Sequence, residues 1–181
     1  MNIVNSFTKT AICLILSTGL LYFPASAQKS QKLTDPEIAS VAVTADQIDI
    51  NYAKIAIKKS HNPKIIEFAK TMEKDHGNVN KQAVALAKKL GVTPKDNPTT
   101  QSLLAGAKKT TVMLNSKSGE AFDKAYVDNE VGYHKAAINV VENMLIPDAT
   151  NGELKSLLQS ALPIFKGHLA HAEMVQKNLE K

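Results

Sequence analysis

The stretch IIEFAKTMEKDHGNVNKQAVALAKKL, residues 65–90, decides the fold. Its apolar positions Ile65, Ala69, Met72, Val79, Ala83, Leu86 and Leu90 follow one another at alternating steps of four and three, and His76 takes the place where one more apolar residue is due. Such steps draw one stripe down an α-helix, and a stripe this long belongs to a helix that packs against others. A second stripe with the same steps runs through Leu154, Leu158, Ala161, Phe165, His168, Ala172, Val175 and Leu179, again interrupted by a histidine. A third carries Val127, Glu130, His134, Ile138, Val141 and Leu145. An imidazole on such a face looks into the bundle, where it needs a hydrogen-bond partner, a carboxylate or a metal to offset its desolvation.

The helix ends can be read outward from these stripes. Asp35 with Pro36 opens a first helix that runs to about Ser60 with the seam Ile38, Val41, Ala45, Ile48, Tyr52, Ile55, and Lys58 and Lys59 complement its dipole. Asn62 caps the second helix, Pro63 starts it and Gly91 stops it, so the first two helices form an antiparallel hairpin. A turn-rich segment, residues 92–98, leads into a weaker amphipathic piece with Leu103, Leu104, Ala107, Val112 and Leu114, read as a short crossover helix. The third long helix is expected from about Glu120 to Leu145 with Pro147 ending it. Thr150 and Glu153 form a capping-box signature for the fourth, and Pro163 should kink it before His168. No strand-like alternation is long enough to matter. The expected architecture is all-α, a ferritin-like antiparallel four-helix bundle with a crossover helix.

Residues 1–27 read as a secretory signal peptide, with Lys9 ahead of an apolar run from Ala11 to Phe23 and the small residues Ala25, Ser26 and Ala27 before a cleavage site. Residues 28–34 form a polar tether and residues 35–181 the bundle, which places the mature chain in the periplasm or outside the cell. The run is too short for a spanning helix, so no transmembrane segment is expected in the mature chain. The single cysteine, Cys13, lies in the leader, which leaves no thiolate for a metal or a nucleophile. All 22 basic residues are lysines and they are dispersed, giving a net charge of +5. Without arginine forks or exposed aromatic platforms, nucleic acid is not an expected partner. A diffuse lysine surface supports at most weak association with an anionic envelope surface, and no specific partner can be read.

Antiparallel hairpins bring polar groups to one height. Reflection about the first turn sets Asp49 opposite Glu73 and His76, and reflection about the second sets Glu130 and His134 opposite His168, each roughly 20 Å from its turn at 1.5 Å per residue. Asp49, His76, Glu130, His134 and His168 are therefore the candidate metal ligands, with Glu73 and Met72 as weaker ones. Imidazoles and carboxylates without thiolates suit iron, manganese or zinc, whereas copper would rest on the Met72 thioether.

The run FAKTMEKDH at residues 68–76, Phe122 with Asp123, Tyr126, His134, Leu162 with Pro163, and His168 with Leu169 together resemble a bacterial family, the domain of unknown function numbered 4142. The resemblance spans nearly the whole mature chain. It implies a ferritin-like helical fold, envelope residence and no established reaction, and it aligns the family's recurrent histidines with His76, His134 and His168 and its first-helix acid with Asp49. Members often carry an outer-membrane label, but no barrel pattern is present here. The chain departs from true ferritins, whose di-iron site needs Glu-x-x-His on two helices and a glutamate on each of the others. Glu73 and His76 match one such motif, Phe165 occupies the place of the fourth-helix acid, and Glu130 and His134 are spaced by four. A mononuclear or structural site fits better than ferroxidase chemistry.

Three functional readings follow. In the first, the bundle binds an envelope metal. In the second, the polar core of a non-catalytic envelope or stress protein only sets helix register. In the third and lowest ranked, a redox metal supports oxidoreductase chemistry near Tyr126 or Tyr133. No Gly-x-Ser-x-Gly elbow or glycine-rich phosphate loop supports a hydrolase or a phosphate site.

Overall fold

The computed structural model describes residues 32–179, so the leader expected over residues 1–27 lies outside the described residues, as does most of the tether. Five helices follow: α1 (Asp35–Lys59), α2 (Pro63–Lys89), α3 (Pro98–Asn115), α4 (Gly119–Val140) and α5 (Gly152–Leu179). No strand occurs among the described residues. None of their helices is long and apolar enough to cross a membrane.

Local chemistry sets the helix ends. The Thr34 amide and hydroxyl both donate to Glu37 at the start of α1, one residue ahead of the expected Asp35. Asn62 Oδ1 accepts from the Lys64 amide to cap α2. Gly91 closes α2 at φ +64°, a left-handed conformation that a side chain would strain. The fourth cap differs from the Thr150–Glu153 expectation. Asn151 Oδ1 accepts from the Glu153 and Leu154 amides and caps α5, while the Thr150 amide and hydroxyl donate to Asp35 of α1. Asp35 therefore ties the start of α5 to the start of α1.

Direction follows from contacts at either end. The α3 start meets the α1 start through Ser40 and Thr100, whose hydroxyls lie 3.1 Å apart, and its end meets the α1 end through Lys59 Nζ, which donates to the Leu114 and Asn115 carbonyls. Helix α3 thus runs parallel to α1 on the outside of the bundle and carries the chain back to the end where α2 began. From there α4 runs antiparallel to α1, and α5 returns. Around the bundle α1 packs on α2, α2 on α5, α5 on α4 and α4 on α1, every neighbour antiparallel, as expected of a ferritin-like layout.

Helix α4 does not stop cleanly. It passes into a π-helical turn, Val141–Leu145, in which the Ile146 amide bonds to the Val141 carbonyl, and a last helical stretch, Ile146–Asp148, carries it past Pro147. Pro147 has no N–H to give Asn143, and its ring crowds that carbonyl, so the turn before it widens instead of ending. Helix α5 runs through Pro163 without interruption.

The core has two parts. Toward the α1 C-terminus, Phe68, Phe122, Tyr126, Tyr52 and Met72 pack with Ile65, Val127 and Leu114. Toward its N-terminus the filling is Ile38, Val41, Val79, Val141, Leu145, Leu154, Leu158 and Phe165. Phe68 stands edge-on to Tyr126 with centroids 6.0 Å apart and is fully buried. Phe68→Ala is expected to cost about 3–5 kcal/mol, seen as a lower urea midpoint at unchanged slope; a loss below about 1 kcal/mol would mean that this half is loosely packed.

Candidate metal centre

Between the two apolar halves lies a polar layer supplied by all four bundle helices: Asp46 and Asp49 from α1, Asp75 and His76 from α2, Glu130 and His134 from α4, and His168 from α5. The three imidazoles face one another, with ring centroids 5.1–5.4 Å apart for every pair. Each ring is oriented by an acceptor on one nitrogen. His76 Nδ1 lies 2.8 Å from Asp46 Oδ1, His134 Nδ1 donates to the Glu130 carbonyl one turn back at 2.9 Å, and His168 Nε2 lies 3.1 Å from Asp75 Oδ2. Of the other nitrogens, His76 Nε2 and His134 Nε2 lie within hydrogen-bond distance of each other at 3.3 Å, and His168 Nδ1 is buried with no hydrogen-bond partner among the described residues.

Two carboxylates complete the layer. Asp49 Oδ2 stands 3.5 Å from His76 Nε2 and 3.7 Å from His134 Nε2, and Glu130 Oε2 lies 3.7 Å from His134 Nδ1. Asp49 and Glu130 are both fully buried, and none of their four oxygens finds a hydrogen-bond donor among the described residues. Buried carboxyl groups in that condition are costly unless a cation or a proton meets them. Two sets of three potential ligands have their donor atoms within 4.8 Å of one another: His76, His134 and His168, and Asp49, Glu130 and His134. His134 belongs to both.

Burial dominates the proton equilibria. It pushes the Asp49 carboxyl up to about 6 against the pull of a charged His76. Burial and then the Asp49 charge drive Glu130 well above the usual carboxylate range; the Asn129 amide pulls the other way without hydrogen-bonding to it. His134 is driven down to about 3 by burial and by the neighbouring His76 charge, so its imidazole is neutral. Burial also lowers His168, partly offset by Asp75. At His76 burial works against the charged ring, yet the Asp49 and Asp46 carboxylates prevail and its affinity for a proton is raised. Burial raises Asp46 too, despite its bond to His76, so this pair holds a proton readily.

The arrangement meets the requirements of a metal ligand set. Two nitrogens bound to one ion at about 2.0–2.1 Å and the tetrahedral angle sit about 3.3 Å apart, and His76 Nε2 lies 3.3 Å from His134 Nε2. Ligating histidines characteristically give their other N–H to a carboxylate or a backbone carbonyl, which fixes tautomer and ring plane. All three rings have such an acceptor here.

A family model described as Domain of unknown function (DUF4142) matches residues 23–175. The chain belongs to this family. No protein of curated function matches it. Among solved structures it is similar to one described as "CopM in the Cu(II)-bound form", at 13% identity and a TM-score of 0.62 over 82% of this chain and 99% of that one. A likeness at that identity shows a shared helical fold.

The five main candidates of the sequence, Asp49, His76, Glu130, His134 and His168, all lie in the polar layer of this DUF4142 chain. The two weaker ones do not join them. Met72 is fully buried in the aromatic half of the core, and part-exposed Glu73 belongs to neither ligand set. Phe165, which replaces the ferritin acid, lies flat on His76, with centroids 5.2 Å apart and planes 8° from parallel. Tyr133 donates to the Ala45 carbonyl at 2.8 Å, and the Tyr126 hydroxyl is buried without a partner among the described residues. His171 stands edge-on to Phe68 at 5.0 Å, and His61 is exposed in the first turn.

Sequence reasoning missed Asp46 and Asp75. Asp46 had a signal, since it lies three residues before Asp49 and so shares its helix face. Asp75 had none, because it adjoins His76 in the chain yet serves His168 on another helix.

The Asp49 shift has a stability consequence. A carboxyl whose folded pKa lies above its unfolded one binds more protons in the folded state, so its ionisation lowers stability as pH rises between those values. In the metal-free protein, the thermal midpoint of Asp49→Asn minus that of wild type should be larger near about pH 7 than near about pH 4. A constant or inverted difference would show that Asp49 is ionised as easily folded as unfolded.

Proposed function

We infer that this protein is an envelope metal-binding bundle that holds one divalent transition metal on His76, His134 and His168, with Asp49 as the carboxylate ligand and Glu130 beside it. The observation that carries this reading is the common orientation of the three imidazoles: each has one nitrogen on an acceptor outside the trio, while His76 Nε2 and His134 Nε2 meet at 3.3 Å and His168 Nδ1 has no hydrogen-bond partner among the described residues. A network serving only to fix helix register would be expected to satisfy its own members. Asp49 and Glu130, none of whose four oxygens accepts a hydrogen bond among the described residues, argue against that alternative.

Three imidazoles and a carboxylate suit zinc, iron and copper alike, and affinity at such a set rises toward Cu(II). Met72, the thioether nearest the site in the chain, lies in the aromatic half of the core. Imidazole nitrogens need no thioether to bind Cu(II), and the relative of like fold is described in a Cu(II)-bound form. Copper is accordingly the first metal to test and zinc the second. A bound ion would supply the positive charge that lets Asp49 and Glu130 stay ionised in the interior. The envelope assignment rests on the leader read in residues 1–27. The reading gives the protein a binding role, buffering or sensing a metal, with no reaction assigned.

Mature protein prepared without an affinity tag should bind one Cu(II) or Zn(II) per chain by mass spectrometry and gain thermal stability as free metal is raised. The double variant His76→Ala, His168→Ala should lose both. Metal content unchanged in that variant, or a midpoint indifferent to metal and chelator, would overturn the proposal. Because Asp49 and Glu130 must lose protons to serve an ion, uptake should release protons, and affinity should fall as pH drops below about 6. Calorimetry in two buffers of different ionisation enthalpy measures that release; a value of zero would remove the carboxylates from the site.

A further inference from the structure

The two halves of the core are filled differently. On one side of the histidine layer stand Phe68, Phe122, Tyr126 and Tyr52. On the other, Ala83, Ala87 and Ala161 stand with valine and leucine and few rings enter, and a cavity of about 280 Å³ remains between all four bundle helices. Its wall is aliphatic except at its two ends. The inner end is bounded by Asp46, His76, Tyr133, His134 and Phe165; the outer by part-exposed Asp35, Thr99 and Asn151 at the end of the bundle. On α2 the lining runs from His76 to Leu90, so the cavity is roughly 20 Å long at 1.5 Å per residue. It is long and narrow.

A void of this size is not a packing residue, since an unfilled apolar space forfeits the dispersion contacts of its whole lining. Nor does an aliphatic wall hold water, which needs polar partners. Length, width and polarity together describe one occupant. We propose that this cavity is a binding site for a single unbranched aliphatic chain, inserted methyl end first toward the histidine layer with its polar head at the Asp35, Thr99 and Asn151 end. The orientation follows from the lining: the outer end carries the part-exposed polar residues Asp35, Thr99 and Asn151, where a head group keeps its water. The site is independent of the metal reading, because its wall is complete whether or not an ion binds the histidines.

Straight-chain alcohols are the probe, with octanol, dodecanol and hexadecanol compared against the cage alcohol adamantanol. Dodecanol is expected to bind one per chain and raise the thermal midpoint, and adamantanol to do neither. The variant Ala83→Leu, Ala161→Leu, which fills the cavity away from the ligand residues, should melt higher than wild type, keep its metal content and lose dodecanol binding. If that variant fails to fold, dodecanol labelled with carbon-13 at its methyl carbon locates the chain in wild type, its methyl protons giving nuclear Overhauser contacts to the rings of His76 and His134 and none to exposed His61. Absence of saturable dodecanol binding to wild type, equal binding by the filled variant, or methyl contacts to neither buried ring would each overturn the proposal. Loss of metal from the histidine variant would leave it untouched.

Discussion

Everything in this bundle is arranged around the cost of placing three imidazoles and two carboxyl groups in its interior. Desolvation favours the neutral form of each, and it is the first cause of the shifts at Asp49, Glu130, His134 and His168. Part of the cost is offset by acceptors within the layer: the Asp46 and Asp75 carboxylates and the Glu130 carbonyl hold one nitrogen of each ring. What those acceptors cannot reach, the inner nitrogens and the Asp49 and Glu130 oxygens, is left for a proton or a cation. The layer is therefore stiff in orientation and open in chemistry.

That layer also divides the protein. Above it large aromatic rings pack among fully buried alanines; below it valine, leucine and alanine line the interior, and a cavity remains. The π-helical turn of α4 belongs to this second half, and its Val141 and Leu145 line the cavity wall. The contrast between the halves is compositional, and it gives the two ends of one bundle different physical properties. Phe165 stands at the boundary, flat against His76 and part of the aliphatic half.

A di-iron carboxylate centre needs a carboxylate from each helix, and here the fourth helix offers Phe165 and, one turn on, His168. Phe165 brings no charge to the layer and lays a flat apolar surface over His76. The polar groups gathered here are richer in nitrogen than those of a di-iron site. The fold is shared with larger classes of helical proteins; the chemistry lies in the side chains of this one layer.

The sequence by itself determined the helices, their directions and the height of the polar groups. Apolar steps of three and four, the Asn62–Pro63 start and the Gly91 stop are local matters, and short connections leave antiparallel packing as the outcome. The histidines were legible because each interrupts or joins an apolar stripe. Tertiary structure alone decided what the polar atoms do once there. Asp75 follows its neighbour in the chain but turns to His168 on α5; Asn151 caps α5 because Asp35 of a distant helix has taken Thr150. The cavity too was hidden, since alanine on a stripe reads as ordinary core, and whether it leaves space depends on what three other helices set opposite it. Periodicity is a property of one helix, whereas contact across a bundle is a property of four, and only coordinates in three dimensions contain the second.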